Sequence, residues 1–264
     1  MLSKAAQAFT FRVIPNVSTN HQISLFSSSS RHGLHHSIRA LLRETAQPVA
    51  VVTSFMPQEH RQHEGRKHEG IGATGSKDTS IFHGATLSSF TSISMDPHPL
   101  IAFSLRVPSR MATTLSELTL SDPAHMVISL LSAPQAHHAL LFSRPDLHPH
   151  PFDAVRWSTS KEGFPILHGS LGALSCRLIT STPLHSLNKL DRPRKSDGTD
   201  DVWKGEGVAS KLFIAQVVRV ENVLPDSAAK DLDPELWTKP LLYHRRGYAT
   251  ISNTPLSASH KHGH

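Results

Sequence analysis

The chain has 264 residues, 38% of them hydrophobic, with 27 Lys and Arg against 21 Asp and Glu and a net charge of +6. That length suits one generous domain or two small ones. One cysteine, Cys176, excludes both an intrachain disulfide framework and a cysteine metal cluster built by one chain. No apolar run approaches the ~18 to 20 residues that span a bilayer, so no membrane span is expected. The positive charge is spread out, and its densest run (Arg192, Arg194, Lys195) is diluted by Asp191 and Asp197. No basic motif interleaved with aromatics is present, so nucleic acid is not expected as a partner.

Residues 1–33 differ from the rest. They carry Lys4, Arg12 and Arg31 and no acid; the first carboxylate is Glu44. An acid-free, Ser-rich stretch dotted with Arg predicts a mitochondrial transit peptide and a matrix protein, with a disordered tail as the alternative. Arg39 to Thr45 then predicts a short helix with Leu41 and Leu42 on its apolar side. Pro48-Val-Ala-Val-Val-Thr53 predicts a strand opened by an edge proline. Residues 56–80 lose all periodicity and read as a surface insertion.

The next stretch is His83-Gly-Ala-Thr-Leu-Ser-Ser-Phe-Thr-Ser-Ile-Ser-Met-Asp-Pro97. Thr86, Ser88, Ser89, Thr91, Ser92 and Ser94 place six hydroxyls in nine residues. An apolar, β-prone run, residues 99–107, follows, then Arg106 and Arg110. Small polar residues beside a buried strand and two arginines are what an anionic, flat, polar-edged ligand needs. A helix is expected over Arg110 to Leu118 and a strand over His125 to Leu131. Ser132 and Gln135 form a capping box with Pro134 in the first turn. The helix they open, Ala133 to Phe142, is expected to bury Ala136, Ala139 and Leu140, with Phe142 as a further candidate for that side, and to turn His137 and His138 to solvent.

Residues 143–165 are Pro- and His-rich. Ile166 to Thr180 predicts one long or two short strands, with Gly169 and Gly172 allowing a bulge. Residues 184–207 form a second charged insertion. Over 212–220 a strong strand puts Leu212, Ile214, Val218 and Val220 on one face, with Gln216 among them. A His-rich tail, 253–264, is expected to be disordered. Short helices between long strands argue against parallel pairing, which needs longer crossovers. The predicted fold is mainly β: an antiparallel barrel over residues 34–252 with short peripheral helices, and no second domain.

Twenty histidines invite a metal reading. No His-Glu-x-x-His helix pattern occurs, and no specific metal site is predicted. Cys176, flanked by Leu174 and Leu178, reads as a small core residue. No GxGxxG opens a βαβ unit.

In order, these pieces resemble the flavin-reductase-like family of FMN-binding split barrels, of Greek-key type. The most distinctive is Gly84-Ala-Thr-Leu-Ser-Ser-Phe-Thr-Ser-Ile-Ser-Met-Asp-Pro-His-Pro-Leu100. Ser104-Leu-Arg-Val-Pro-Ser109, Phe164-Pro165, Gly169, Cys176, Phe213 to Glu221 and Pro240 to Tyr248 continue the match. The resemblance implies a homodimer with FMN near the subunit interface and NADH or NADPH as co-substrate. It implies that Thr86, Leu87, Ser88, Ser89, Phe90, Thr91 and Ser92 line the ring and ribityl chain, and that Ser104, Arg106, Ser109 and Arg110 surround the phosphate. Hydride would pass to the flavin, then on to a second flavin, oxygen or a mitochondrial protein acceptor. No catalytic side chain is assigned. The Gly-Asp-His that many such reductases carry is replaced by Gly207-Val-Ala-Ser-Lys211, with Ser210 at the histidine position and Lys211 beside it. That departure keeps a non-enzymatic FMN-binding or assembly role open. A pyridoxamine-phosphate-oxidase-like or haem-handling relative is a third reading, because split barrels carry several functions.

Overall fold

The computed structural model describes residues 31–56, 79–117, 122–185, 209–226 and 233–252. The expected transit peptide up to residue 30, nearly all of both insertions and the His-rich tail lie outside the described residues. The chain divides into Met1–Leu42 and Arg43–His264. From the first part only a helix, α1 (Arg31–Arg43), is described. It starts eight residues before the Arg39–Thr45 helix expected and ends at Arg43, and Leu34 and Ile38 extend the apolar stripe about two turns upstream.

The second part is built on a seven-stranded sheet. In chain order its strands are β2 (Ala50–Phe55), β3 (Phe82–Leu87), β4 (Thr91–Ser94), β5 (Leu100–Val107), β6 (Met126–Leu130), β9 (Gly172–Pro183) and β10 (Ala209–Glu221). The spatial order is β3-β2-β6-β9-β10-β5-β4, and every pairing is antiparallel. Two small sheets accompany it. One pairs β7 (Trp157–Thr159) with β8 (Pro165–Leu167). The other joins β1 (Gln47–Pro48) to the hairpin β11 (Leu242–His244) and β12 (Gly247–Ala249).

One connection forces the large sheet to curl. Strands β3 and β4 stand at its opposite edges, yet only Ser88, Ser89 and Phe90 join them. Seven flat strands at ~4.8 Å spacing would hold those edges about 29 Å apart. The four Cα steps from Leu87 to Thr91 reach at most ~14 Å. The sheet therefore rolls into a split barrel whose seam is crossed by the Ser88–Phe90 turn. Register shifts along β9 and β10, between Ile214 and Ala215 and between Val217 and Arg219, supply local bends.

The interior is apolar. Val52, Leu87, Phe103, Met126, Ile128 and Phe213 are buried there, and α2 (Arg110–Ser116) caps one end with Met111 and Leu115. Phe103 and Phe213, cross-strand partners, stack with centroids 5.5 Å apart. Each such buried side chain contributes about 1.5–3 kcal/mol. Strand β2 is buried on both faces, which explains its unbroken apolar run: Ala50 and Val52 face the barrel, and Val51 faces a second core under α3 (Ala136–Ser143). Two hydroxyls follow inside the same strand, and both are satisfied. Thr53 Oγ1 donates to Pro165 O at 2.7 Å, and Ser54 Oγ donates to His125 O at 2.9 Å.

The capping box forms as expected, with Ser132 N–H donating to Gln135 Oε1 at 3.0 Å. The helix face differs from expectation. Ala139 and Phe142 are buried and His137 is exposed, as expected, but Leu141 is buried in place of Leu140 and His138 is half-buried. A 3-10 turn over Ala133–Gln135 precedes the α-helix and shifts its phase. Phe142 of this helix packs on Gly84 of β3. A Cβ at Gly84 would lie 2.5 Å from the Phe142 ring, so this contact requires glycine.

Gly84→Ala should therefore destabilise the domain by about 1–3 kcal/mol through overpacking. In a Phe142→Leu background the same change should cost less, because the two sites share one space. Equal urea midpoints for the parent and Gly84→Ala would contradict the contact.

Candidate functional site

Strand alternation sorts the Ser/Thr-rich stretch. Facing the barrel interior, Leu87 is part of its core and Phe90 packs against that core. Facing the other way, Thr86 lies under α3 and donates its hydroxyl to Ala139 O at 2.7 Å. Those three side chains are structural, and any ligand contact from them is limited to the backbone. Ser88, Ser89, Thr91 and Ser92 are exposed.

Ser89 carries the joint that shapes the site. Thr91 pairs with Ala102 and Ser92 with Ile101, so the register continues to Ser89 opposite Ser104. The main chain of Ser89 does not continue the ladder; its side chain does. Ser89 Oγ accepts from Ser104 N at 2.9 Å and from Ser104 Oγ at 3.1 Å, and it lies 3.2 Å from Ser104 O. One hydroxyl thus serves both the N–H and the C=O that a strand would have matched. The backbone N–H groups of Ser88, Ser89 and Phe90 consequently have no acceptor among the described residues. They form a short row of free donors fixed to a rigid strand.

Ser104 and Arg106 lie on the outer face of β5, since Ile101, Phe103 and Leu105 point inward. Arg106 is exposed and stands about 7 Å beyond Ser104 along the strand. No carboxylate among the described residues pairs with it or with Arg110. Ser109 is the N-cap of α2, its Oγ accepting from Ala112 N at 3.2 Å. Arg110 follows at the first helical position. It also lines a shallow hollow with Gly84, Phe142, His148 and His150, on the α3 side of β3. That hollow meets the predicted set only at Arg110; the hydroxyl turn and Arg106 do not line it.

The site thus gathers the Ser88–Phe90 backbone, the hydroxyls of Ser89 and Ser104, and Arg106 on one outward surface. Strand β10 continues that surface: Ser210 pairs with Arg106, and Leu212 with Ser104. Leu212 and Ile214 are half-buried there, while Phe213 and Ala215 point into the barrel. The apolar face expected from Leu212, Ile214, Val218 and Val220 is therefore the outer face. Lys211 alternates away from Arg106 and donates through Nζ to Ser116 Oγ of α2 at 3.0 Å. It is engaged as a tie between β10 and α2. Sequence reading did not show which way Leu212 faces, because an outward-facing leucine in a strand shows the same pattern as an inward one.

The other titratable groups are structural. His125 Nδ1 accepts from Leu178 N at 3.0 Å, which fixes the Nε2–H tautomer, and burial lowers its pKa. Burial also lowers the pKa of His138, contrary to the solvent placement expected. Burial pushes the Cys176 thiol up to about 12, leaving it an unreactive core residue. Glu162 and Glu221 are not a free acid–base pair. Arg219 Nη1 donates to Glu162 Oε1 at 3.0 Å and Nε donates to Glu221 Oε1 at 2.7 Å; the Arg219 bond holds Glu162 below the usual carboxylate range. Among the described residues, no three His, Cys, Asp or Glu side chains converge as metal ligands.

The model of the flavin reductase like domain family matches residues 42–252 of this chain. The NADH-dependent FMN reductase SmoA of Agrobacterium fabrum is 35% identical over 94 residues, 36% of this chain and 49% of that protein. An NADH-dependent flavin reductase of Rhodococcus sp. is 33% identical over 107 residues, 40% of this chain and 55% of that protein. The chain thus spans about half the length of the curated relatives it matches. Among solved structures, the NADH:FAD oxidoreductase SgcE6 of Streptomyces globisporus, in complex with NAD and FAD fragments, aligns with a TM-score of 0.52. It is 19% identical, and the alignment covers 83% of this chain and 94% of that one. At that identity the likeness concerns the fold.

Proposed function

Because the chain belongs to the flavin reductase like domain family, we propose that it is an NAD(P)H-dependent flavin reductase that binds FMN on the outer surface of the barrel seam. The observation that carries this reading is the Ser89–Ser104 joint: among the described residues it leaves three backbone N–H groups in a row without an acceptor, beside Arg106 without a carboxylate partner. The polar edge of a flavin ring presents hydrogen-bond acceptors, and a dianionic phosphate calls for a guanidinium fork. The donor set therefore fits the group. When bound, a flavin supplies the redox chemistry by accepting hydride from reduced nicotinamide.

The chain's own residues do the holding. The N–H groups of Ser88–Phe90 would donate to the ring edge, and Leu212 and Ile214 would give the ring an apolar support. Arg106 would hold the phosphate, with Arg110 reaching it from the start of α2. FMN is preferred over FAD because Arg106 and Arg110 are anchors for a terminal phosphate. A relative is named for FMN and a structural neighbour for FAD, so both ligands belong in the test.

A homodimer belongs to the same proposal. Ile93, Met95, Ile179 and Val218 are 48, 69, 47 and 40% exposed on or beside the outer sheet face. A second copy would cover these side chains. A second reading, an FMN-binding protein without reductase activity, is favoured by Ser210 at the histidine position and by the engagement of Lys211 with Ser116.

Anaerobic addition of NADH or NADPH to the flavin-loaded protein separates the two. Bleaching of the flavin bands within seconds is expected. Bands that persist until dithionite is added would favour the second reading, and protein that takes up neither FMN nor FAD would end both. Arg106→Ala should weaken FMN about 10- to 100-fold, the equivalent of a charged hydrogen bond of about 1.5–3 kcal/mol, and leave riboflavin within about twofold. Equal losses for the two ligands would remove the phosphate assignment.

A further inference from the structure

We propose that His125 is an acid-sensitive latch: its neutral imidazole holds one half of β9 closed, and protonation releases that half. Strand β9 is unequally supported. From Gly172 to Cys176 it lies between β6 and β10. β6 begins at Met126, opposite Cys176, so among the described residues 177–183 have β10 alone as a strand neighbour. The pairing with β10 is itself interrupted, because the register shifts between Leu178 and Thr180. His125, one residue ahead of β6, does the missing strand's work. Its backbone N–H donates to Cys176 O at 2.8 Å, and its ring Nδ1 accepts from Leu178 N at 3.0 Å. A side chain thus supplies the acceptor that a longer β6 would have offered.

The ring can do this only without a proton on Nδ1. His125 is 1% exposed, and its Nε2 has no partner among the described residues. A second proton would enter at Nδ1, set two N–H groups against each other and leave both donors buried. A buried donor without a partner costs about 1–3 kcal/mol, and more when it is charged. Asp122, in the preceding turn, favours the added proton and Arg177 of β9 opposes it; Ser54, which β2 brings to His125 O, is neutral. Burial is the largest influence and lowers the pKa of the folded ring. Once the half-strand opens, the ring meets water and regains the ordinary value of ~6.5. The open form therefore takes up the extra proton, so the latch holds fully above ~6.5 and is lost as pH falls below it. The half it holds carries Thr182 opposite Leu212, so release frees one flank of the surface proposed for the flavin. The latch itself does not depend on that reading.

The test is amide hydrogen exchange of the full chain, each rate divided by that of an unstructured peptide at the same pH. The Leu178 amide should open about 5- to 10-fold more at ~pH 5.5 than at ~pH 6.5, since one added proton allows at most about tenfold per pH unit. Ile128, in the middle of β6, should change less than about twofold, because the opening is local. His125→Asn puts an amide oxygen near the place of Nδ1 and does not titrate, so its Leu178 amide should stay within about twofold over the same range. An equal acid response in parent and His125→Asn, a Leu178 amide that ignores pH in the parent, or an Ile128 amide that opens along with it would overturn the proposal. If His125→Asn fails to fold, the parent decides. The ring nitrogen shifts and the Leu178 amide shift should then move with one midpoint below ~6.5, and separate midpoints would overturn the latch.

Discussion

The architecture depends on a length constraint. Three residues, Ser88–Phe90, connect the two edges of a seven-stranded sheet, and the sheet closes because they cannot reach across it flat. Phe90 anchors the turn inward against the barrel core, and Ser89 anchors it outward on Ser104. Between these two anchors the backbone has no freedom to fold its donors back onto the protein. An unpaired N–H is expensive in a buried place and cheap in a solvated one, so the seam is where a row of free donors can persist. Fold and proposed binding surface thus share the same short segment.

The surroundings keep that segment rigid. Phe103 and Phe213 stack beneath β5 and β10, and the second core presses α3 onto β2 and β3 through Phe142 and Gly84. Thr86 adds a hydrogen bond from β3 to α3. Arg219 ties β10 to Glu162 in the turn between β7 and β8, and to Glu221 within β10. None of these groups touches the outward donors. Their effect is positional: they hold β5 and the seam so that Arg106 and the turn keep a constant separation.

Much of the barrel was legible in the sequence. β2, β5, β6 and β10 announce themselves as apolar, β-branched runs, and Ser132 with Gln135 marks a helix start. The Ser/Thr-rich stretch stood out in the sequence as a candidate site, because hydroxyls gathered beside arginines are unusual in a core. What it hid was direction. In Thr86-Leu-Ser-Ser-Phe-Thr-Ser92 the period-two signal is erased by small polar residues, so nothing marked Thr86 as a strut under α3 or Ser89 as the joint. The face of β10 was hidden for the opposite reason, since Leu212 and Phe213 are both apolar. In α3 the burial of Leu141 in place of Leu140 was hidden because the 3-10 turn at Ala133–Gln135 advances the chain by a different angle per residue than the α-helix that follows.

The account stands or falls on the Ser89 hydroxyl, and the direct measurement is flavin affinity in Ser89→Ala beside Ser104→Ala. Removing the Ser89 hydroxyl unfastens the turn from β5. Removing that of Ser104 leaves the main bond, Ser104 N–H to Ser89 Oγ, in place. Loss of one such joint, worth about 1–2 kcal/mol, predicts FMN binding about tenfold weaker in Ser89→Ala and within about threefold of the parent in Ser104→Ala. If Ser89→Ala binds FMN as tightly as the parent, the joint does not shape the site and the central claim fails.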